Sequence, residues 1–253
     1  MGDPPIADPQ PVCRLGANEV HIWRLEPEPL VDLSGYSALL SSDEQQRAAR
    51  FRFPYLTRNF IVDHGRMRLL LSAYTGVAPR DLAFTLNEFG KPELANNPAS
   101  LRFNLSHTNE LSLLALCPDS PVGIDVEAVR PMDDWRDIAQ SHFSQSEISA
   151  LQGTAESDQQ NAFFRCWTRK EAFIKAHGRG LSIPLDSFAV SLAREETPAL
   201  LECKWDPEET KRWQFVSLDL GARFAGALAV RGKDRTVRHF DWIADRALVS
   251  APT

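Results

Sequence analysis

Apolar residues recur at helical spacing in two long stretches of the chain. In the first stretch the intervals are three, four and seven residues, and the apolar positions are Phe60, Met67, Leu70, Leu71 and Tyr74. This spacing predicts an amphipathic helix, and Gly76 marks its end because glycine readily adopts the left-handed conformation that closes helices. A second long helix is predicted over about 158–176, ended by Gly178 and Gly180.

Two shorter helices are predicted from their first residues. Ser41 and Glu44 stand three residues apart in the pattern of a capping box, and so do Ser144 and Glu147. In a capping box each of the two side chains accepts a hydrogen bond from the other residue's backbone amide, so both amides at the start of the helix are satisfied. The first of these helices should stop before Pro54, because proline disfavours the helical conformation in the residue that precedes it.

Apolar runs without helical spacing predict strands. Residues 111–116 and 122–126 are such runs, and the turn residues 118–121 separate them, which is the pattern of a buried β-hairpin. Further strands are predicted over residues 187–192, 213–218, 224–230 and 237–243. Helices and strands joined by short connections predict an α+β fold with antiparallel sheets.

The same pattern predicts how the chain is divided. Residues 1–11 contain four prolines and little that could be buried, so we expect a flexible tail there. The turn at 118–121 predicts a boundary between an N-terminal half, residues 12–119, and a C-terminal half, residues 120–253.

Composition narrows the classes of function. The 253-residue chain has a net charge of −6, which argues against a general nucleic-acid binder. Its four cysteines are scattered without a CxxC pair, so neither a zinc site nor a disulfide framework is expected. No apolar run approaches the roughly 18 residues that span a bilayer. The acidic, proline-rich start is unlike an export signal. We therefore expect a cytoplasmic protein that does not bind membranes.

Three carboxylates and a lysine form the candidate chemistry. Asp125 and Glu127 project from one face of a strand, since side chains alternate along it. On the second long helix, Glu171 and Lys175 share a face one turn apart. Mg²⁺ prefers oxygen ligands and is commonly held by a few carboxylates plus substrate phosphates. Each pair taken alone also fits a plainer alternative, either a solvated strand end or a surface glutamate–lysine pair.

Basic and polar residues elsewhere could meet a phosphate. Ser106 and His107 could donate hydrogen bonds to phosphate oxygens, or could belong to an ordinary polar loop before a strand. The chain is acidic overall, but residues 47–68 contain six arginines and form a locally basic segment. One or two of these arginines could bind a terminal phosphate. Lys91 lies in a turn beside a glycine. The sequence has no Walker A loop, dinucleotide-binding fingerprint or nucleophile elbow.

Four short segments carry a family pattern when they are taken in order. They are residues 90–92, 103–107, 123–127 and 167–175, the last followed by 178–181. Together they resemble the 4′-phosphopantetheinyl transferases, specifically the monomeric surfactin-synthetase-activating type, over roughly residues 41–192. The resemblance implies an α+β fold of two similar halves, each an antiparallel sheet with helices. A pseudo-twofold axis would relate the halves, with the active site between them.

The resemblance also implies roles for the acidic residues and the lysine. Asp125, Glu127 and Glu171 correspond to the acids that bind magnesium. Glu171 is also the candidate base for the attacking serine hydroxyl. Lys175 corresponds to a catalytic lysine that contacts the phosphates and helps the leaving group depart.

Coenzyme A is the implied substrate. Ser106 and His107 correspond to residues at its 3′-phosphate end, and Lys91 to the lysine of the coenzyme-binding turn. Arg47 falls where a basic residue contacts the nucleotide, while Asp125 and Lys175 also belong to the coenzyme-binding set.

The implied reaction moves the 4′-phosphopantetheine arm of coenzyme A to a serine of an acyl or peptidyl carrier protein, with Mg²⁺ bound and 3′,5′-ADP released. Carrier proteins are typically acidic, so we expect them to dock on a basic face around Arg58, Arg66 and Arg68. Two rival hypotheses are a magnesium-dependent phosphohydrolase that uses the same acids and a non-catalytic coenzyme-binding protein.

Overall fold

The computed structural model describes residues 13–27 and 31–245. Its helices are α1 (Leu33–Leu39), α2 (Ser42–Ala49), α3 (Pro54–Thr75), α4 (Trp135–His142), α5 (Gln145–Gly153), α6 (Glu156–His177) and α7 (Trp242–Asp245). Its strands are β1 (Glu19–Leu25), β2 (Phe84–Leu86), β3 (Pro92–Leu94), β4 (Leu101–His107), β5 (Ser112–Pro118), β6 (Val122–Ala128), β7 (Phe188–Val190), β8 (Leu200–Cys203), β9 (Trp213–Ser217), β10 (Phe224–Arg231) and β11 (Thr236–Asp241).

The strands form two main sheets and two small hairpins. A four-stranded sheet has the order β11-β1-β5-β4, and a three-stranded sheet has the order β6-β10-β9. The hairpins are β2–β3 and β7–β8. Every pairing is antiparallel except that of β1 with β11, which is parallel. The predicted α+β class with antiparallel sheets is confirmed.

The two main sheets belong to units with the same order of elements. In the first unit, β1 is followed by α1–α3, the hairpin β2–β3, and then β4 and β5. In the second, β6 is followed by α4–α6, the hairpin β7–β8, and then β9 and β10. The strand orders β1-β5-β4 and β6-β10-β9 also correspond. The protein is therefore built from two similar halves, as predicted.

Matching local signals begin and end the helices of the two halves. Ser41 and Ser144 each close a complete capping box at the start of α2 and α5. The long helices α3 and α6 are both 22 residues, and they end at Gly76 and Gly178, whose φ angles are 73° and 78°. Glycine adopts this left-handed backbone conformation readily, because it has no Cβ atom that would clash with the backbone. All four predicted helix signals are confirmed.

Each long helix is also tied to the preceding capping-box glutamate by a buried cation. The Nε atom of Arg68 lies 2.8 Å from a carboxylate oxygen of Glu44 in the first half. In the second half the Nζ atom of Lys170 lies 2.7 Å from Glu147. Lys170 is fully buried and also donates to the carbonyl of Phe188. Because a buried charge is costly without a partner, each pair holds its short helix against the long one.

The predicted β-hairpin of residues 111–116 with 122–126 is wrong. Both runs are strands, but β5 pairs with β1 and β4, whereas β6 pairs with β10 in the other sheet. The two strands instead meet face to face in an apolar layer between the sheets, to which Ala115 and Ile124 contribute. A short strand buried on both faces gives no alternating pattern, so its pairing partner cannot be read from the run itself.

The division of the chain near residue 119 stays a prediction. Strand β11, from the predicted C-terminal half, adjoins β1 in the sheet of the predicted N-terminal half. The predicted tail, residues 1–11, lies outside the described residues.

Among the helices in 13–27 and 31–245, none combines the length and apolar character needed to cross a bilayer.

Candidate active site

Close packing of helix α6 on strand β6 brings the predicted acids and lysine together. A Cβ atom at Gly123 would lie 2.2 Å from the carbonyl oxygen of Ala172 and 2.3 Å from the amide nitrogen of Ala176. Real side chains do not tolerate such distances, so only glycine allows the helix to lie this close to the strand. The glycine therefore sets how near Glu171 and Lys175 come to Asp125.

Asp125 is the buried centre of the site. Its neighbours Ile124 and Val126 point into the apolar layer between the sheets, and only 3% of Asp125 is exposed. One carboxylate oxygen, Oδ1, lies 2.5 Å from Nζ of Lys175 and accepts a hydrogen bond from the hydroxyl of Ser106 at 3.0 Å. Residues from both halves thus converge on one carboxylate.

Side chains of β4 also bind the backbone of β6. Asn104 Oδ1 accepts from the amide of Ile124 at 2.8 Å, and Ser106 Oγ accepts from the amide of Val126 at 3.3 Å. These two amides flank Asp125. Asn104 and Ser106 are both buried, with 9% and 5% exposure.

Burial and mutual repulsion perturb the other two acids. Burial, together with the charges of Asp125 and Glu127, raises the pKa of Glu171 to about 7, although Lys175 opposes the change. Burial and the charge of Asp125 also raise the pKa of Glu127, against Lys175 and a hydrogen bond from Trp167. The three carboxylates are therefore close enough to feel one another, and they disfavour simultaneous ionisation without a cation.

The donor set fits a hard divalent cation. Nowhere in residues 13–27 and 31–245 do three acidic, histidine or cysteine side chains already stand in positions that would hold a metal. However, Oδ2 of Asp125 is buried and has no hydrogen-bond partner among these residues. A buried carboxylate oxygen without a partner is costly. The charge of Asp125 also raises the pKa values of Glu127 and Glu171. An oxygen-liganded Mg²⁺ would satisfy all three.

Lys91 bridges the two halves. Its Nζ donates to the carbonyl oxygens of Val122 at 3.0 Å and Ala176 at 3.4 Å, and burial lowers its pKa to about 8. A cavity of about 150 Å³ opens beside it, lined in part by Phe103 of β4 and His177 of α6. The lysine and this cavity therefore lie where residues of the two halves meet.

His107 and Arg47 both belong to the first half. His107 is exposed at the end of β4, within electrostatic reach of Asp63 on α3. Arg47 is exposed in the last turn of α2, and its guanidinium lies over the ring of Phe60 at 5.3 Å. Phe60 in turn stacks on His64 at 3.9 Å. The described contacts therefore do not bring Arg47 to the carboxylates.

The predicted docking face around Arg58, Arg66 and Arg68 is wrong for two of its three members. Arg66 and Arg68 are each only 1% exposed. Arg68 donates to Glu44 and to two backbone carbonyls, and Arg66 donates to the carbonyl of Glu26. The run of arginines suggested a charged surface. An arginine can nevertheless be buried when hydrogen-bond acceptors surround its guanidinium group.

Comparisons with known proteins decide the family. The model of the 4′-phosphopantetheinyl transferase superfamily matches residues 121–229. The chain is 36% identical over 225 residues to the 4′-phosphopantetheinyl transferase HetI of Nostoc sp., a match that covers 88% of this chain and 92% of HetI. The chain belongs to the 4′-phosphopantetheinyl transferases.

Two other transferases support the same assignment. A putative 4′-phosphopantetheinyl transferase of Synechocystis sp. is 30% identical over 200 residues, 79% of each chain. The transferase Sfp of Bacillus subtilis is 31% identical over 160 residues, which covers 63% of this chain and 70% of Sfp. The resemblance inferred from the four short segments is thus confirmed at the level of the family.

The sequence interpretation missed two residues of this transferase that contact the site. Asn104 stands two residues before Ser106, so strand alternation places both on one face of β4. That signal was available. Trp167, whose hydrogen bond lowers the pKa of Glu127, lies one helical turn before Glu171. It begins the family segment 167–175, but its large apolar ring is typical of a core residue, so no role was assigned to it.

Proposed function

We propose that this transferase moves the 4′-phosphopantetheine arm of coenzyme A to a serine of an acyl or peptidyl carrier protein. The reaction would depend on Mg²⁺ and release 3′,5′-ADP. The observation that supports this best is the convergence of Asp125, Glu127 and Glu171 with Lys175, where α6 packs on β6 beside the other half. Such a group can neutralise a diphosphate and hold a proton acceptor next to it.

Asp125, Glu127 and Glu171 would hold the cation. When bound, Mg²⁺ would neutralise the diphosphate and make the phosphorus more electrophilic. Lys175 is 29% exposed at its side chain, so its ammonium can reach a phosphate oxygen at the mouth of the site while it stays near Asp125. There it would stabilise negative charge that develops on the departing 3′,5′-ADP.

Glu171 would accept the proton of the carrier serine. The serine oxygen forms a bond to the phosphorus that bears pantetheine, and the bond from that phosphorus to the bridging oxygen breaks. The serine proton passes to Glu171, and the electron pair of the broken bond leaves with 3′,5′-ADP. Glu171 lies beside Lys175 on the face of α6 that packs on β6, which would place its carboxylate next to the attacking hydroxyl.

The nucleotide end of coenzyme A would lie across the first half. Lys91 and the adjoining cavity would receive part of the nucleotide, and His107 with Arg47 would meet the 3′-phosphate. Both side chains are exposed on the same half, so a bulky anion can approach them.

We further propose that the transferase acts as a cytoplasmic monomer without nucleic-acid or membrane partners. Light scattering in solution would test whether it is a monomer.

Intact-mass analysis of a panel of apo carrier proteins tests the reaction. With coenzyme A and Mg²⁺, the transferase should add the mass of one phosphopantetheine arm to at least one carrier. Glu171→Gln should nearly abolish this addition while coenzyme A still binds. Glu202→Gln, at an exposed position of β8, is the matched control and should react normally.

The same assay separates the rival activities. Rapid release of 3′,5′-ADP from coenzyme A and Mg²⁺ without a carrier would favour a phosphohydrolase. Binding of coenzyme A without product for any carrier would favour a non-catalytic binding protein. Full turnover by Glu171→Gln would remove Glu171 from the mechanism.

A further inference from the structure

Strand β11 carries the chain from the second half back onto the first. It follows β10 and pairs in parallel with β1, at the edge of the four-stranded sheet. Helix α7 comes next, and its Trp242 is buried in the core of the first half. We call β11 and α7, residues 236–245, the strap. The strap joins the two halves that together form the candidate site.

A small group of side chains holds the strap on β1. Arg238 Nε lies 2.7 Å from a carboxylate oxygen of Glu19. The ring of Phe240 stacks on Trp23, with centroids 4.9 Å apart, and lies against the imidazole of His21 at 4.8 Å. None of the six side chains of β11 is fully buried. These few contacts, together with the backbone pairing, therefore attach the strand.

His21 is the buried centre of this group, with 4% exposure. Its Nε2 lies 3.2 Å from the carboxylate of Glu19, whose pKa is lowered by a hydrogen bond from the backbone amide of Gly16. An ionised carboxylate only accepts, so Nε2 carries a proton. Nδ1 lies 2.7 Å from the hydroxyl of Tyr74, which accepts from the indole N–H of Trp23 at 3.0 Å.

Only the neutral imidazole satisfies this whole chain of hydrogen bonds. Trp23 then donates to Tyr74, the Tyr74 hydroxyl donates to Nδ1, and Nε2 donates to Glu19. Both nitrogens of an imidazolium are donors, so the hydroxyl proton of Tyr74 would lose its acceptor. No other hydrogen bond of this hydroxyl occurs among the described residues. A buried donor without a partner is costly, so protonation of His21 strains the group.

The charges around His21 do not reverse this preference. Burial lowers the pKa of His21 below its ordinary 6.5, and Arg238 on β11 acts in the same direction, although Glu19 on β1 opposes both. Strand β5 places the uncharged Leu116 opposite His21. The remaining titratable side chains of the cavity beside His21 are Cys13, Arg14 and Tyr74. Burial keeps the cysteine and the tyrosine neutral by raising their pKa values, and the arginine adds positive charge.

From this geometry we propose that His21 is a pH-sensitive lock for the strap, which the neutral imidazole holds on β1 and protonation releases. The proposal goes beyond the proposed reaction and does not depend on it. Release removes Phe240 from the imidazole, so the charged ring can be hydrated. Above pH 6.5 the attachment is at full strength. At lower pH the released state takes up a proton that the attached state does not, so the attachment weakens.

Hydrogen–deuterium exchange of the whole chain, followed by mass spectrometry, tests the lock. The protection factor of a peptide that contains the strap already corrects for the intrinsic pH dependence of exchange. It should fall by about 10- to 30-fold between pH 7 and pH 5, because a released histidine with the ordinary pKa of 6.5 becomes almost fully protonated in this range. Peptides from α6 should keep their protection, which separates release of the strap from global unfolding.

His21→Gln is the decisive variant. Its amide oxygen can accept from Tyr74 and its amide nitrogen can donate to Glu19, but it does not titrate, so the fall in protection should disappear. His239→Gln, at an exposed position of the strap, is the matched control and should show the wild-type fall.

Equal protection of the wild-type strap at pH 7 and pH 5 overturns the proposal, and so does a fall that persists in His21→Gln. Should His21→Gln not fold, the nitrogen NMR shifts of the His21 ring in the wild type decide. A neutral ring with its proton on Nε2 at pH 7 supports the lock, and an imidazolium at pH 7 overturns it. Neither measurement involves turnover, so failure of the lock and failure of the proposed function are distinguishable.

Discussion

Glu171→Gln should stabilise the metal-free protein while it removes activity. The pKa of Glu171 rises from its ordinary 4.5 to about 7 in the folded state, a difference of about 2.5. Each pKa unit corresponds to about 1.4 kcal/mol, so ionisation of this carboxyl costs the fold at most about 3–4 kcal/mol. Partial exposure of the side chain screens the charges, so we expect a cost of about 1–2 kcal/mol.

The sign of the pH dependence follows from the direction of the shift. Below about pH 4.5 the carboxyl is protonated in both the folded and the unfolded states, so the cost is absent. Between pH 4.5 and about 7 the unfolded chain loses the proton first, and the folded state becomes relatively less stable. Above about pH 7 the cost is complete. Glutamine removes it, so the variant should gain stability over the wild type as the pH rises.

Urea denaturation in EDTA at pH 5 and pH 8 measures this difference. The free energy of unfolding of Glu171→Gln should exceed that of the wild type by about 1–2 kcal/mol at pH 8 and by much less at pH 5. Glu202→Gln should show no such trend. Mg²⁺ with coenzyme A should then stabilise the wild type more than the variant, because ligand binding to the folded state adds to its stability. A variant no more stable than the wild type at pH 8 would refute the reasoning.

Three further predictions concern packing, charge and the coenzyme. Gly123→Ala should lower the free energy of unfolding by about 1–3 kcal/mol or more, and should lower activity, because the added Cβ pushes α6 away from β6. Gly153→Ala is the control, since its Cβ would meet nothing within 4 Å. Thermal melts should show no comparable loss of stability for this control. Lys170→Met should lower the free energy of unfolding by about 3–5 kcal/mol, because it leaves the buried charge of Glu147 without a partner. In urea titrations, adding Glu147→Gln should recover part of that loss. No recovery would argue against the pair. The KM for coenzyme A should rise above about pH 8 as Lys91 loses its proton, and a profile unchanged by Lys91→Arg would count against this.

Local sequence signals predicted the helices correctly, but they did not predict which strands pair with one another. Capping boxes at Ser41 and Ser144 and the glycines after α3 and α6 act within one or two turns, so the sequence carries them directly. Most of strand β6 is buried, and its short run does not distinguish a hairpin with β5 from pairing with β10, which lies about a hundred residues later. The neighbouring sheet decides that pairing.

The candidate site shows the same limit. The two-residue spacing of Asp125 and Glu127 and the helical spacing of Glu171 and Lys175 correctly described each element, but their approach depends on Gly123 and on tertiary packing. Arg68 shows the converse. Its charge suggested the surface, yet Glu44 and two carbonyls keep it in the core. Which charges are buried depends on partners that are distant in sequence.

Anomalous diffraction from a crystal of the transferase with Mn²⁺ and coenzyme A would test the proposed metal site most directly. We predict one manganese peak bound by Oδ2 of Asp125, by Glu127 and Glu171, and by the diphosphate of coenzyme A. A peak that excludes Glu171, or a diphosphate bound away from Asp125 without a metal, would contradict the account.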